Sequence, residues 1–491
     1  MKQAIENLIH YAIKNDVITA RDTIYVRNQI YHLVRCELTE PFLQPQDITM
    51  PSDALDIILD ACETKGLLDG SSVSRDLLDA KIMNIFTMMP SQVETKFFDL
   101  YKKNKRSAFT WYYDYMHHIN YIRKNRILKN ISFTTPSIYG HLDITINLSK
   151  PEKDPKSIIL ASKSVSSDYP KCLLCIENEG FAGHYKHDSR DQHRIIPLNL
   201  GNEIYYFQYS PYIYYQEHAI ILSESHRPMK IDHKAFTNLL SLTDQCPGYF
   251  FGSNADLPIV GGSILSHDHY QGGFNTFPIE NARTLKTWKK GDTKIAILHW
   301  PLSTIRLTSR YKDVLIEEAV HILDAWKNYS NHTLNIFNYT GDTSHQTITP
   351  VARKVKNSYQ LDLLLRNNYT NDMYPLGMYH PHEDKWHIKK ENIGLIEAMG
   401  LAILPSRLKD ELNDVKDYLM HQKPLPERSL KHHLWAEKMR LMYQDQIQHI
   451  DTIIHYEIGQ IFEGVLEDCG VFKQTSEGIK AFKSWIEASI L

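Results

Sequence analysis

The stretch Gly261-Gly262-Ser263-Ile264-Leu265-Ser266-His267-Asp268-His269-Tyr270-Gln271-Gly272-Gly273 holds the residues best suited to chemistry. Side chains alternate between the two faces of an extended chain, so His267, His269 and Gln271 are expected to share one face. Two imidazoles and a carboxamide converging on one spot suit phosphoryl or nucleotidyl transfer. A neutral imidazole attacks phosphorus near neutral pH, and the cationic imidazole it becomes is a good leaving group. Gln271 can donate hydrogen bonds to non-bridging phosphate oxygens without entering the proton balance. The flanking glycine pairs let backbone or ligand approach closely. By spacing alone, surface or metal-binding histidines in a glycine-rich loop would give the same pattern.

The second candidate group involves cysteine. Cys36, Cys62, Cys172, Cys175, Cys246 and Cys469 are too few in 491 residues for a disulfide framework. Only Cys172 and Cys175 are close in sequence, and in a reducing compartment that spacing reads as metal ligands or a redox motif before a structural bridge.

Taken together these segments carry a family resemblance. The strand around His269 resembles the active-site strand of the galactose-1-phosphate uridylyltransferases, members of the histidine-triad superfamily with the motif His-x-His-x-Gln. Asp168-Tyr169-Pro170-Lys171-Cys172-Leu173-Leu174-Cys175 is similar to that family's Cys-x-x-Cys segment, and Ser223-Glu224-Ser225-His226 resembles its Ser-Pro-Asp-His segment. Tyr139 to Asn147 and His345 to Pro350 are similar to its second, bacterial class. The resemblance covers most of the chain after about residue 115, and a helical N-terminus also belongs to that class.

The resemblance implies a double displacement. His269 would attack the α-phosphorus of UDP-glucose and expel glucose 1-phosphate. Galactose 1-phosphate would then take the uridylyl group and leave as UDP-galactose. Gln271 would hold the phosphoryl oxygens, and the carbonyl of His267 would accept the other N–H of His269. Asn254 and Ser263 fall where the family places nucleotide and phosphate contacts. Cys172, Cys175, His226 and His267 match its structural zinc ligands, a sensible tetrahedral set, with His218 a rival for the third place. Glu280 fits the glutamate of the family's second, iron-type site. Ser344-His345-Gln346 stands where that site needs His-x-His, and His380-Pro381-His382 lies elsewhere, so no second metal is expected and Glu280 is read as a polar contact. Glu397 stands near the place of a glutamate that binds hexose hydroxyls; a helix-surface glutamate is the plain alternative. Arg353 and Arg366 are candidates for the sugar phosphate, since a guanidinium offers a planar fork for its oxygens, or else form structural ion pairs. A homodimer is also implied. Two other functions share these residues: a dinucleotide phosphorylase or hydrolase using the same histidine, and a zinc-stabilised nucleotide-binding protein without turnover.

The elements that must position these groups read as α+β. The first ~115 residues look helical. Ile5, Leu8, Ile9, Ala12 and Ile13 follow one helix face. Leu55, Ile58, Leu59 and Cys62 mark a second helix from Pro51-Ser52 to Gly66, and Ser91 and Glu94 have capping-box spacing for a third. Leu142, Ile144, Ile146 and Leu148 alternate as in a half-buried strand, with a loop over residues 150–155. Further strands are expected within 205–222, 294–300 and 361–366, a helix through Ile316, Ala319, Val320 and Leu323, and helices from about Ser429 onward. The expected division is a helical region, residues 1–115; a catalytic half, 116–290; and a second half with a helical tail, 291–491. The resemblance implies that the halves are two histidine-triad-like sheets. Net charge is −3, with no long run of one sign, so no nucleic-acid partner is expected. No apolar run approaches the ~20 residues of a membrane span, and Met1 to Glu6 enters a helical pattern without a signal-peptide core. A cytoplasmic protein without a membrane partner is expected.

Overall fold

The computed structural model describes residues 1–37, 43–149, 156–157, 160–161, 169–262, 264–443 and 448–491. Asp168, Ser263 and the expected loop 150–155 lie outside the described residues. The chain forms two compact units: residues 1–129, 149–227 and 245–247 in the first, and 130–148, 228–244 and 248–491 in the second.

In the first unit the apolar stripes become helix faces. Ile5, Leu8, Ile9 and Ala12 are buried along Lys2–Lys14, and Leu55, Ile58, Leu59 and Cys62 along Ser52–Thr64. The helix Pro90–Lys103 closes its N-terminus one residue pair earlier than the sequence suggests. Met89 N donates to Gln92 Oε1 at 2.9 Å, because Pro90, with no N–H and a preset φ, takes the first helical position. That helix and Lys105–His118 pack on a sheet ordered Ile196–Leu200, Glu203–Tyr209, Ala219–Ser223, all antiparallel. Aromatic rings make the joint: Phe109 lies 5.0 Å from Phe207 and Tyr112 5.2 Å from Tyr209, centroid to centroid. Tyr209 OH donates to Phe109 O at 3.0 Å, which gives the buried phenol a partner.

The second unit carries the larger sheet. Its strands run in the order His269–Gly273, Phe250–Gly252, Gln346–Val355, Ser358–Asn367, Thr304–Ser309, Thr293–Leu298, Thr284–Lys290, each antiparallel to its neighbours. The expected helix through Ile316 and Leu323 is Lys312–Lys327. A smaller sheet joins Ile131–Ser137 to Gly140–Ile146 and adds Leu401–Leu404 in parallel. Helices Leu408–His421, His433–Met442, Ile450–Cys469 and Ser476–Ser489 form the tail. A buried charge knot ties the large sheet together. Asp362, fully enclosed, accepts from Arg306 Nε at 2.6 Å and from Arg353 Nη1 at 2.6 Å. Burial alone would raise the Asp362 carboxyl; Arg353 and Arg306 hold it below the usual range. The fold is α+β with a helical N-terminal region.

Candidate active site

Strand His269–Gly273 pairs with Phe250–Gly252 in the register Gly273–Phe250, Gly272–Phe251, Gln271–Gly252. Close pairing needs small residues: a Cβ on Gly272 would sit 2.4 Å from the Phe251 ring. Tyr270 points away from the face of His269 and Gln271 and anchors the strand, its OH accepting from Asn238 Nδ2 at 3.1 Å on the helix His233–Gln245. The strand begins at His269, so the shared face extends over His269 and Gln271 only. His267 stands in a bend just before it, fully buried.

What His267 offers within this segment is its carbonyl. His269 Nδ1 lies 2.7 Å from His267 O. A carbonyl only accepts, so Nδ1 carries the hydrogen and Nε2 keeps its lone pair. Burial lowers the pKa of His269, outweighing the His267 carbonyl and the Asp268 charge, which act the other way. The ring, 6% exposed, is therefore a neutral imidazole of fixed tautomer.

Within the first unit, one group among the described residues has the make-up to hold a metal ion: Cys172, Cys175 and His226. Cys172 Sγ and Cys175 Sγ are 3.6 Å apart, and Cys175 Sγ is 3.2 Å from His226 Nδ1. Bond lengths of ~2.3 Å to sulfur and ~2.0 Å to nitrogen give tetrahedral edges of roughly 3.5–3.8 Å; the thiol pair at 3.6 Å matches them and the Cys175–His226 separation of 3.2 Å is slightly shorter. Asn178 fixes the turn, its Nδ2 donating to the carbonyls of Cys172 and Cys175 at 2.8 Å each. Without a cation, burial and the neighbouring thiol push Cys172 up to about 11. His218 does not join the group: its Nδ1 faces Tyr212 O at 3.2 Å, and the rings of Tyr214 and Tyr215 flank it.

A short helix, Leu395–Ala398, lies over the strand next to His269–Gly273. A Cβ on Gly252 would meet Leu395 Cδ1 at 2.7 Å. Gly252 and Gln271 are direct partners and face the same way, so Leu395 and its helix cover the face that carries Gln271 and His269. Asn254 holds this helix: its Oδ1 accepts from Leu395 N at 2.8 Å, and a Cβ on Gly262 would strike its Nδ2 at 2.5 Å. Glu397 is not a surface residue. At 7% exposure it pairs with Lys389 Nζ at 2.6 Å, and its other oxygen accepts from Gly394 N at 3.2 Å.

The remaining candidates are engaged by the protein itself. Arg353 bonds Asp362 and, at 3.0 Å, Gln360. Arg366 donates to Ile393 O at 2.7 Å, in the segment leading to the short helix. Glu280 Oε1 accepts from Phe277 N at 2.8 Å, and its other oxygen lies 3.5 Å from Arg353 Nε. His345 is held between Asn368 Oδ1 and Thr340 Oγ1, both at 2.8 Å. His380 faces Asn392 and His382 faces Asp468. Sequence reading missed Lys389 and Asp362. Their partners lie in other elements, and a lone charged residue carries no spacing signal.

Comparison with known proteins gives a consistent result. Residues 17–228 match the family model described as galactose-1-phosphate uridyl transferase, N-terminal domain, and residues 242–437 match its C-terminal domain. A galactose-1-phosphate uridylyltransferase of Clostridium perfringens is 46% identical over 98% of this chain and 97% of its own. One of Clostridium acetobutylicum is 47% identical over 98% of both chains. One of Bacillus subtilis is 43% identical over 98% of this chain and 96% of its own.

Proposed function

The chain belongs to the galactose-1-phosphate uridyl transferase family, and we propose that it transfers a uridylyl group from UDP-glucose to galactose 1-phosphate through a covalent bond to His269. The observation that carries the route is the 2.7 Å contact between His269 Nδ1 and the His267 carbonyl, which leaves Nε2 as the nucleophilic atom.

The Nε2 lone pair forms a bond to the α-phosphorus of UDP-glucose. The bond from that phosphorus to the bridging oxygen breaks, and glucose 1-phosphate leaves with the electron pair. The ring now carries a positive charge, which the Nδ1–H and the His267 carbonyl help to spread. An oxygen of galactose 1-phosphate then attacks the same phosphorus, the P–N bond breaks, and Nε2 recovers its lone pair. No proton moves in either half. Gln271, on the same face as His269, would donate to the non-bridging oxygens as they gain charge. Glu397, near that face on the short helix, would accept hexose hydroxyls. Asn254 holds that helix beside Gln271, Ser263 is assigned a phosphate contact, and Arg353 and Arg366 bind or frame the sugar-phosphate end.

Zinc on Cys172, Cys175, His226 and His267 would supply a structural restraint. His267 is included among the ligands on the family resemblance, and the ion would take no part in bond exchange. Residues 1–115, 116–290 and 291–491 are read as helical region, catalytic half and second half of a cytoplasmic homodimer.

The test uses the full chain and UDP-glucose labelled in the α-phosphate. Label is expected to stay on the protein after gel filtration, to leave on adding galactose 1-phosphate, and to be absent from His269→Ala. An unlabelled wild type, or label retained by the variant, would overturn the route.

A further inference from the structure

Lys389 is a buried cation that the exchange at His269 does not use. It is 5% exposed, and protein acceptors surround its ammonium: Glu397 Oε1 at 2.6 Å, Glu391 Oε2 at 3.3 Å and Ile403 O at 3.4 Å. Two carboxylates pair with it as ions and one carbonyl accepts a hydrogen bond, so its charge is balanced within the protein. Burial alone would lower this lysine; Glu397 and Glu391 hold it above its usual value, so it stays charged across the working range.

Its partner is placed differently. A carboxylate offers about four lone-pair sites. Glu397 Oε1 is paired as an ion with Lys389 but accepts no hydrogen bond among the described residues, and Oε2 accepts from Gly394 N, so the carboxylate has acceptor capacity to spare. The helix that bears Glu397 covers the Gln271 face of the sheet, held there by Asn254 at Leu395 N and by Leu395 against Gly252. The segment just before it is pinned by Arg366 at Ile393 O. The helix is thus fixed at its start, and the carboxylate is fixed from behind by one cation.

We infer that Lys389 is a positioning residue for hexose recognition: its ammonium, paired with Glu397 Oε1 at 2.6 Å, fixes the orientation in which that carboxylate meets sugar hydroxyls. The inference rests on the reading of Glu397 as a hexose ligand. Lys389 touches no substrate and acts through Glu397 alone. A neutral side chain at 389 would leave the buried Glu397 carboxylate without its cation and free to turn away, and hydroxyls would then meet a misplaced acceptor.

The experiment compares the full-length enzyme with Lys389→Met, Lys389→Arg, Glu397→Gln and the double variant Lys389→Met/Glu397→Gln. A hydrogen bond to a charged group contributes about 1.5–3 kcal/mol, so Glu397→Gln should raise the KM for galactose 1-phosphate about tenfold or more. Lys389→Met should raise it by a similar factor with kcat changed less than about threefold, Lys389→Arg should recover most of the loss, and the double variant should be no worse than the poorer single. Additive losses in the double variant would overturn the inference, as would an unchanged KM in Lys389→Met. Should Lys389→Met not fold, the double variant, which buries no charge at this pair, carries the comparison against Glu397→Gln: equal KM values support the inference and a further rise defeats it. An unchanged KM in Glu397→Gln would sink the reading of Glu397 itself, a result separable from failure at Lys389.

Discussion

At the scale of single residues, the proposed route depends on one nitrogen having a lone pair. His269 is held as a neutral ring by burial and by one carbonyl. Burial lowers its pKa below the ordinary 6.5, so protonation, which would quench the nucleophile, sets in only at more acid pH. The acid limb of kcat/KM should therefore fall below pH 6.5, and a steady-state pH profile checks this; a limb centred above pH 7 would contradict a neutral nucleophile. This part was legible in the sequence because His-x-His-x-Gln is a local pattern whose spacing alone puts His269 and Gln271 on one face. The role of His267 was half legible. Its carbonyl meets His269 Nδ1, but strand periodicity placed its side chain on a strand that in fact begins two residues later. Glu397 was legible as a carboxylate and not as half of an ion pair, since Lys389 is eight positions away on an irregular segment.

At the scale of elements, the strand that carries His269 has a thin neighbour. Gly252 lets Leu395 rest on the sheet and brings the Leu395–Ala398 helix beside Gln271. A methyl there would sit 2.7 Å from Leu395 Cδ1 and 2.9 Å from Pro350 O, and the second contact is backbone that cannot swing away. Gly252→Ala should cost about 1–3 kcal/mol of stability, as overpacking does, and should also raise the KM for hexose phosphates by displacing the helix. Thermal melting and steady-state kinetics read the two effects; a variant with wild-type values in both would show that the contact is slack. Helix stripes such as that of Lys2–Lys14 were readable in advance, because a buried face repeats every three to four residues. The strand Phe250–Gly252 was not: three residues hold no period.

At the scale of the whole molecule, the proposed metal ligands are divided between the two units. The Cys172-x-x-Cys175 turn and His226 belong to the first unit, and His267 belongs to the segment that carries His269. Structural zinc contributes folding energy directly, because its ligands have no ordered site in the unfolded chain. Stripping the metal with a chelator should lower the melting temperature by at least about 5 °C and reduce labelling of His269, both restored by added zinc. Metal analysis of the purified protein together with the melting curve decides it; unchanged melting in a verified metal-free protein would dismiss a structural ion. The spacing of Cys172 and Cys175 suggested metal ligands or a redox motif, while His226 and His267 enter the proposed set through the family resemblance, since no spacing rule joins residues 172 and 267. The order of the large sheet was equally hidden, for strands that are neighbours in space, such as Phe250–Gly252 and Gln346–Val355, lie far apart along the chain.

The parallel pairing of Leu401–Leu404 with Gly140–Ile146 also sets a schedule for biosynthesis. The hairpin Ile131–Ile146 leaves the ribosome roughly 250 residues before the strand that completes its sheet, a delay of roughly ten to fifty seconds at ordinary elongation rates. Throughout that interval the inner edge of Gly140–Ile146, with Leu142 and Ile144 destined for the interior, has no native neighbour. The smaller sheet of the second unit thus closes late, with one edge open until Leu401–Leu404 has been made.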